Sequence, residues 1–209
     1  MSNSAMGLLI EALLDGDQAR AVSEASKLRE TGAGVEQIVN DGIGKAVDRL
    51  DTKCTIDQFN LLEIMLVGRA VTGVMNELFP QGEGRAPTRG AVIVCSLEGD
   101  VHDLGKNVLK MVLAGKGYRV IDLGKDCPLD KVIDTAEKEQ ADAICISGLI
   151  TTVVPQVKRV RDLAANRGLG RIRILAGGAA LKQATAENLN VDYVAETAFD
   201  GARYLESAV

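Results

Sequence analysis

A helical N-terminal part followed by a doubly wound α/β domain is the fold class that this sequence predicts, and three observations predict it. Apolar residues in the first 80 positions recur with helical spacing. Residues 81–90 are rich in glycine and proline and read as a linker. After Gly90, short apolar runs alternate with amphipathic ones, the pattern of βα units on a parallel sheet covered on both faces.

Each element follows from its own residues. Leu8, Leu9, Ala12 and Leu13 mark a first helix, and Ala21, Ala25 and Leu28 a second. Asp15-Gly16-Asp17 separates the two, and Gly32-Ala33-Gly34 ends the second. Val35, Ile38, Val39, Ile43, Val47 and Leu50 stripe a third helix. Thr55 or Asp57 caps a fourth, which carries Leu62, Met65, Leu66, Val74 and Leu78 and stops before Pro80. Short connections favour an antiparallel four-helix bundle over residues 1–80. In residues 91–209, strands are expected at 91–97, 118–122, 143–147, 173–176 and 193–194. Helices are expected at 104–116, 129–139, 155–166, 181–189 and 199–207. Five such units suggest the flavodoxin-like strand order 2-1-3-4-5, with its switch point between the first and third strands.

Composition removes several function classes. The 209 residues suffice for two modest domains. A net charge of -5 leaves no footprint for nucleic acid. No apolar run approaches the ~18 residues that cross a membrane, and no secretory signal opens the chain, so a cytoplasmic protein is expected. Cys54, Cys95, Cys127 and Cys145 form no Cys-x-x-Cys pair. With a single histidine beside them, a three- or four-ligand zinc site is not expected.

That histidine is the centre of the reading. His102 follows the first predicted strand, within Asp100-Val101-His102-Asp103-Leu104-Gly105. Ligands of open α/β sheets bind at such carboxyl ends. A carboxylate two residues before an imidazole can accept its second ring N–H and fix the tautomer, as ligating histidines require. In isolation the pattern also suits an ordinary hydrogen-bonded turn. Two further segments converge on the same sheet edge: Ser147-Gly148-Leu149, with 41 residues between it and Gly105, and Gly177-Gly178, with 27 residues between Leu149 and Gly177.

The set Asp-x-His-x-x-Gly, Ser-x-Leu and Gly-Gly resembles the cobalamin-binding domain family. The local match extends over Gly99 to Asn107 and Ser147 to Thr151. It is most similar to the methyl-carrying branch, the methionine synthase cobalamin modules and the small corrinoid proteins of methyltransferase systems. The resemblance implies a cobalamin bound base-off and His-on, with His102 as axial cobalt ligand and Asp100 tuning it. The family's cofactor contacts fall on Asp100, Val101, His102, Asp103, Leu104 and Gly105, and on Ser147, Leu149, Thr151, Gly177 and Gly178. Alternatives stay open at three of these places. Thr151 touches the nucleotide tail or caps the next helix, Ser147 lies by the tail base or only ends a strand, and Gly177-Gly178 clears the tail or makes a plain turn. The helical part is implied to cap the upper corrin face, with Leu61 or Met65 facing the methyl group or filling the bundle core.

The chain departs from the family in places. Val153 stands where methionine synthase relatives place a relay serine, which puts a third relay residue in doubt. Phe59-Asn60-Leu61-Leu62-Glu63 lacks a proline common there, and Asp51-Thr52-Lys53-Cys54 replaces a Gly-x-x-Phe segment.

The function implied is a methyl carrier, a non-autonomous component cycling between cob(I)alamin and methylcobalamin. Its implied partners are a substrate-specific methyltransferase, an acceptor methyltransferase using a folate or a thiol, and a reductive activase. The rival readings are a cobalamin-responsive sensor and the small subunit of an adenosylcobalamin mutase.

Overall fold

The computed structural model describes residues 2–53, 60–78 and 89–207, with the side chains of residues 2–4 and 61 left aside. Cys54, Thr55, Asp57, Phe59, Pro80 and linker residues 81–88 lie outside the described residues. The chain divides into two compact units. One takes the described residues up to Leu78 together with Met111–Tyr118. The other takes Arg89–Lys110 and the described residues from Arg119 onward.

The helical unit contains α1 (Ser2–Leu14), α2 (Gln18–Glu30), a third helix in three parts and α5 (Leu61–Leu78). Asp17 caps α2, its carboxylate accepting from the Arg20 N–H at 3.0 Å. Gly16 makes the preceding turn at φ +69°, and a Cβ there would lie 2.5 Å from Leu66 Cβ, so the turn needs glycine twice over. The predicted third helix differs from expectation. It runs as α3 (Val35–Gln37), a π-helical stretch (Ile38–Gly44) and α4 (Lys45–Lys53). The bare positions Gly42 and Gly44 explain this. They weaken the regular helix, and a Cβ on Gly42 would sit 2.7 Å from the Leu9 side chain. Leu9, Leu13, Ala21, Leu28, Ile43 and Val74 are fully or almost fully buried in this core.

The α/β unit is a five-stranded, all-parallel sheet in the order β2-β1-β3-β4-β5. Its strands are β1 (Ala91–Cys95), β2 (Arg119–Asp122), β3 (Ala143–Ser147), β4 (Arg173–Gly177) and β5 (Tyr193–Ala195). The connecting helices are α6 (Leu104–Gly115), α7 (Leu129–Lys138), α8 (Val154–Asn166), α9 (Ala186–Leu189) and α10 (Ala198–Ser207). Successive strand side chains point to opposite faces. Ile93, Cys95, Ile144, Ile146 and Ile174 therefore pack in one core with Val132 and Ile133 of α7 and Val157 and Val160 of α8.

In this unit two boundaries shifted from the sequence reading by more than one residue. β1 stops at Cys95 because the Ser96 N–H leaves the ladder and donates to the Gly124 carbonyl at 3.0 Å. The helix expected over 181–189 is a 3₁₀ turn, Leu181–Gln183, followed by the separate α9. Thr185 causes the break, its hydroxyl accepting from the Asn188 N–H at 3.2 Å to start a new helix.

Candidate functional site

The order 2-1-3-4-5 puts the carboxyl ends of β1 and β3 side by side at the switch point, where ligands of such sheets bind. His102 is held there by one carboxylate. Asp100, fully buried, accepts through Oδ1 from His102 Nδ1–H at 2.8 Å and from the His102 backbone N–H at 2.9 Å. Its Oδ2 accepts from the Leu149 N–H at 2.7 Å. Burial works against ionisation of this carboxyl. The Leu149 N–H, the His102 N–H and the imidazole outweigh it and hold the group below the usual carboxylate range. An ionised carboxylate only accepts, so the proton on the ring lies at Nδ1. In the neutral ring Nε2 then carries the lone pair, on a side chain that is 49% exposed. This is the form in which imidazole ligates a metal.

The Ser147 and glycine segments come to the same place. A Cβ on Gly105, in the first turn of α6, would lie 3.0 Å from Ser147 Oγ. Ser147 is the cross-strand partner of Gly177. The Gly148 N–H donates to the Gly177 carbonyl at 2.9 Å, and the Ala180 N–H donates to the Gly148 carbonyl at 3.2 Å. Gly178 sits at φ +98°, and a Cβ there would be 2.5 Å from the Gly148 carbonyl oxygen. Asp100, His102, Gly105, Ser147, Leu149, Gly177 and Gly178 thus share one edge of the sheet.

The remaining predicted residues separate. Among the described residues of this unit, the exposed large hydrophobic side chains are Val101 and Leu149 on these loops and Leu104 at the start of α6. Asp103 is half-buried, and its carbonyl accepts from the Asn107 N–H to open α6. Thr151 is exposed and begins the 3₁₀ turn Thr151–Val153, and the residue at the cap of α8 is Val153, not Thr151. Met65, exposed, and Leu61 lie on α5 of the helical unit.

Sequence reasoning missed three supporting groups. Ser96 is fully buried, and its hydroxyl donates to the His102 carbonyl at 2.8 Å. Lys106, 3% exposed, donates to Asp122 Oδ1 and to the Asn107 side chain, both at 2.7 Å. Asp126 accepts from the Gly99 N–H at 2.7 Å. A polar residue within the apolar run 91–97 was the only signal for Ser96. The others depend on contacts between distant positions. Val153 is fully buried, and Asp100 Oδ2 accepts from the Leu149 backbone N–H. Burial pushes the Cys145 thiol up to about 12, so it offers no thiolate at neutral pH.

These residues fit a large, mostly apolar group with a coordinating metal. They present one imidazole nitrogen, small residues along the neighbouring strand ends, and uncovered apolar side chains around them.

Among the described residues no helix is long and apolar enough to cross a membrane. A family model for the B12 binding domain matches residues 90–203. Among curated proteins, the chain is 28% identical over 193 residues to dimethylamine corrinoid protein 2 of Methanosarcina acetivorans, covering 91% of this chain and 89% of that one. It is 34% identical over 142 residues to dimethylamine corrinoid protein 3 of Methanosarcina mazei, covering 66% and 84%. In fold it matches the methanol:cobalamin methyltransferase complex MtaBC of Methanosarcina barkeri. The TM-score is 0.84 at 24% identity, over 99% of this chain and 80% of that one. A histidine loop at the switch point, a matching domain model and relatives named corrinoid proteins agree: the chain belongs to the B12-binding domain family, as a corrinoid protein whose cofactor is cobalamin.

Proposed function

We propose that this protein is a methyl carrier of a corrinoid methyltransferase system, holding cobalamin base-off with His102 as the lower axial ligand. The observation that carries the reading is the Asp100–His102 pair, which leaves an exposed Nε2 lone pair at the end of β1. When bound, cobalamin supplies a cobalt centre that accepts and donates a methyl group; the protein supplies ligation, orientation and shelter from water. Asp100 fixes the ring tautomer and increases its basicity as a donor. Its other oxygen accepts from the Leu149 N–H. Gly105, Gly177 and Gly178 leave room for the nucleotide tail beside Ser147, and Val101, Leu104 and Leu149 cover apolar cofactor surface.

The partners of this reading are a substrate-specific methyltransferase, an acceptor methyltransferase acting on a folate or thiol, and a reductive activase. The relatives named for dimethylamine favour a methylamine as donor.

The test supplies reduced holoprotein with free dimethylamine or methanol, with and without a cognate methyltransferase. The bound corrinoid's spectrum is expected to change only when the methyltransferase is present; equal rates without it reject the carrier role. In parallel, His102→Ala is expected to abolish the imidazole nitrogen splitting in the cobalt(II) EPR spectrum. An unchanged splitting rejects the ligand assignment.

A further inference from the structure

The histidine loop makes a second set of contacts, on the side away from β3. β1 ends at Cys95, and the next side chain, Ser96, is a hydroxyl with no exposed surface. It donates to the His102 carbonyl at 2.8 Å and so closes the loop on itself. The Ser96 backbone is held in turn by the segment after β2. Its N–H donates to the Gly124 carbonyl at 3.0 Å, and its carbonyl accepts from the Cys127 N–H at 3.0 Å. The Glu98 N–H donates to the Cys127 carbonyl at 2.9 Å. Between these contacts Asp126 takes the left-handed conformation, φ +53°, without being a glycine. In that conformation its N–H donates to the Asp100 carbonyl at 3.0 Å and its carboxylate accepts from the Gly99 N–H at 2.7 Å. A residue keeps such a backbone when its surroundings over-determine it.

We infer that Ser96 and Asp126 are positioning residues for the ligand histidine, and that residues 124–127 form a brace that presents the imidazole with Nε2 outward before cobalamin arrives. The inference rests on the ligand role of His102 proposed above. Asp100 Oδ1 binds both the ring and the backbone N–H of His102 and orients the ring relative to the loop, while its Oδ2 ties the loop to Leu149 after β3. The brace holds the loop from the other side: Asp126 holds Gly99 and the Asp100 carbonyl, and Ser96 holds the His102 carbonyl. A ligand fixed before binding loses less freedom when cobalamin binds, and the saving appears as affinity.

His102 is the sole histidine. Its imidazole ¹⁵N resonances are therefore read without assignment in untagged, full-length protein free of corrinoid. The wild type is expected to show one tautomer, protonated at Nδ1. Ser96→Ala and Asp126→Gly are expected to move both nitrogens toward the tautomer average and to weaken binding of cob(II)alamin about tenfold. Ser96→Thr restores the hydroxyl, and Asp126→Asn restores an acceptor in a residue that tolerates the left-handed region. Glycine at 126 keeps that backbone and removes only the carboxylate, so the pair Asp126→Gly and Asp126→Asn gives an answer even where Ser96→Ala does not fold. A shift in either variant, with recovery in its conservative partner, supports the brace. Wild-type tautomer and affinity in Ser96→Ala and Asp126→Gly, whatever their melting temperatures, overturn it. His102→Ala keeps the two readings apart: an unchanged nitrogen splitting there removes the ligand role, while the tautomer measurement still decides the brace.

Discussion

Asp100 and Asp122 solve the same problem with different partners. Each is a carboxylate drawn into the protein, and burial pushes both toward the neutral form. At Asp122 the Lys106 ammonium, the Gly124 N–H and Lys110 reverse that push and hold the group below its ordinary value. A carboxylate lowered in the folded state stabilises above its unfolded pKa, near ~3.9, and that contribution disappears as pH falls through the folded value. Asp122→Asn should therefore cost about 2 kcal/mol near neutrality, because it strips the charge facing a buried ammonium. The cost should shrink as pH drops from about 5 toward 2. Urea unfolding of both proteins across that range checks it. A pH-independent difference would mean that the ion pair is not what Asp122 contributes.

The elements at the sheet edge interlock through their glycines. A Cβ on Gly148 would press on Leu181 and Val153 within 3.0 Å, both of them fully buried. A Cβ on Gly178 would meet the Gly148 carbonyl, at a φ of +98° that alanine rarely adopts. Gly178→Ala is accordingly expected to cost about 3 kcal/mol of stability, measured by denaturant unfolding without corrinoid. Gly105→Ala should behave in the opposite way. Its new methyl faces only the Ser147 hydroxyl at 3.0 Å, which can rotate, and alanine is the better helix former. We expect an unchanged or higher melting temperature for the corrinoid-free protein and about tenfold weaker cobalamin binding, because the methyl fills space the cofactor uses. Undiminished affinity in a titration would place the cofactor away from α6.

At the scale of the whole molecule, one helix belongs to both units. Residues Leu104–Lys110 of α6 group with the sheet, while Met111–Gly115 group with the helical unit. Within the helical unit, a Cβ on Gly68 would lie 2.8 Å from Met111 Sδ, and one on Gly115 would lie 2.8 Å from Val47 Cγ2. Lys116 Nζ also donates to Asp48 at 2.8 Å. A fragment starting at Arg89 therefore retains the histidine loop but loses the partners of Met111 and Gly115. It should bind a hydrophobic dye and unfold at lower denaturant than the full chain, while still binding cobalamin. Full-chain stability in the fragment would show that α6 needs none of those contacts.

Periodicity alone specified most of the architecture, because the burial of an apolar face is a property of local sequence. The continuous apolar runs Val92–Val94 and Ile144–Ile146 suit a sheet covered on both sides, and the strand order is the common doubly wound arrangement of such βα units. The meeting of Asp100, His102, Ser147 and the glycines at one sheet edge was legible, since strand ends in such a sheet converge by topology. Local sequence did not carry the π stretch at Ile38–Gly44 or the break at Thr185. Both depend on what a turn meets across space or on a cap competing with an equally good helix pattern. Tertiary structure alone decided that Leu149 engages the outer oxygen of Asp100, that Ser96 and Asp126 brace the loop, and that Lys106 is buried against Asp122. Hydrogen bonds between residues far apart in the chain leave no periodic trace, and a buried lysine or serine looks in sequence like a surface one. Their meaning comes from the fold that removes water around them.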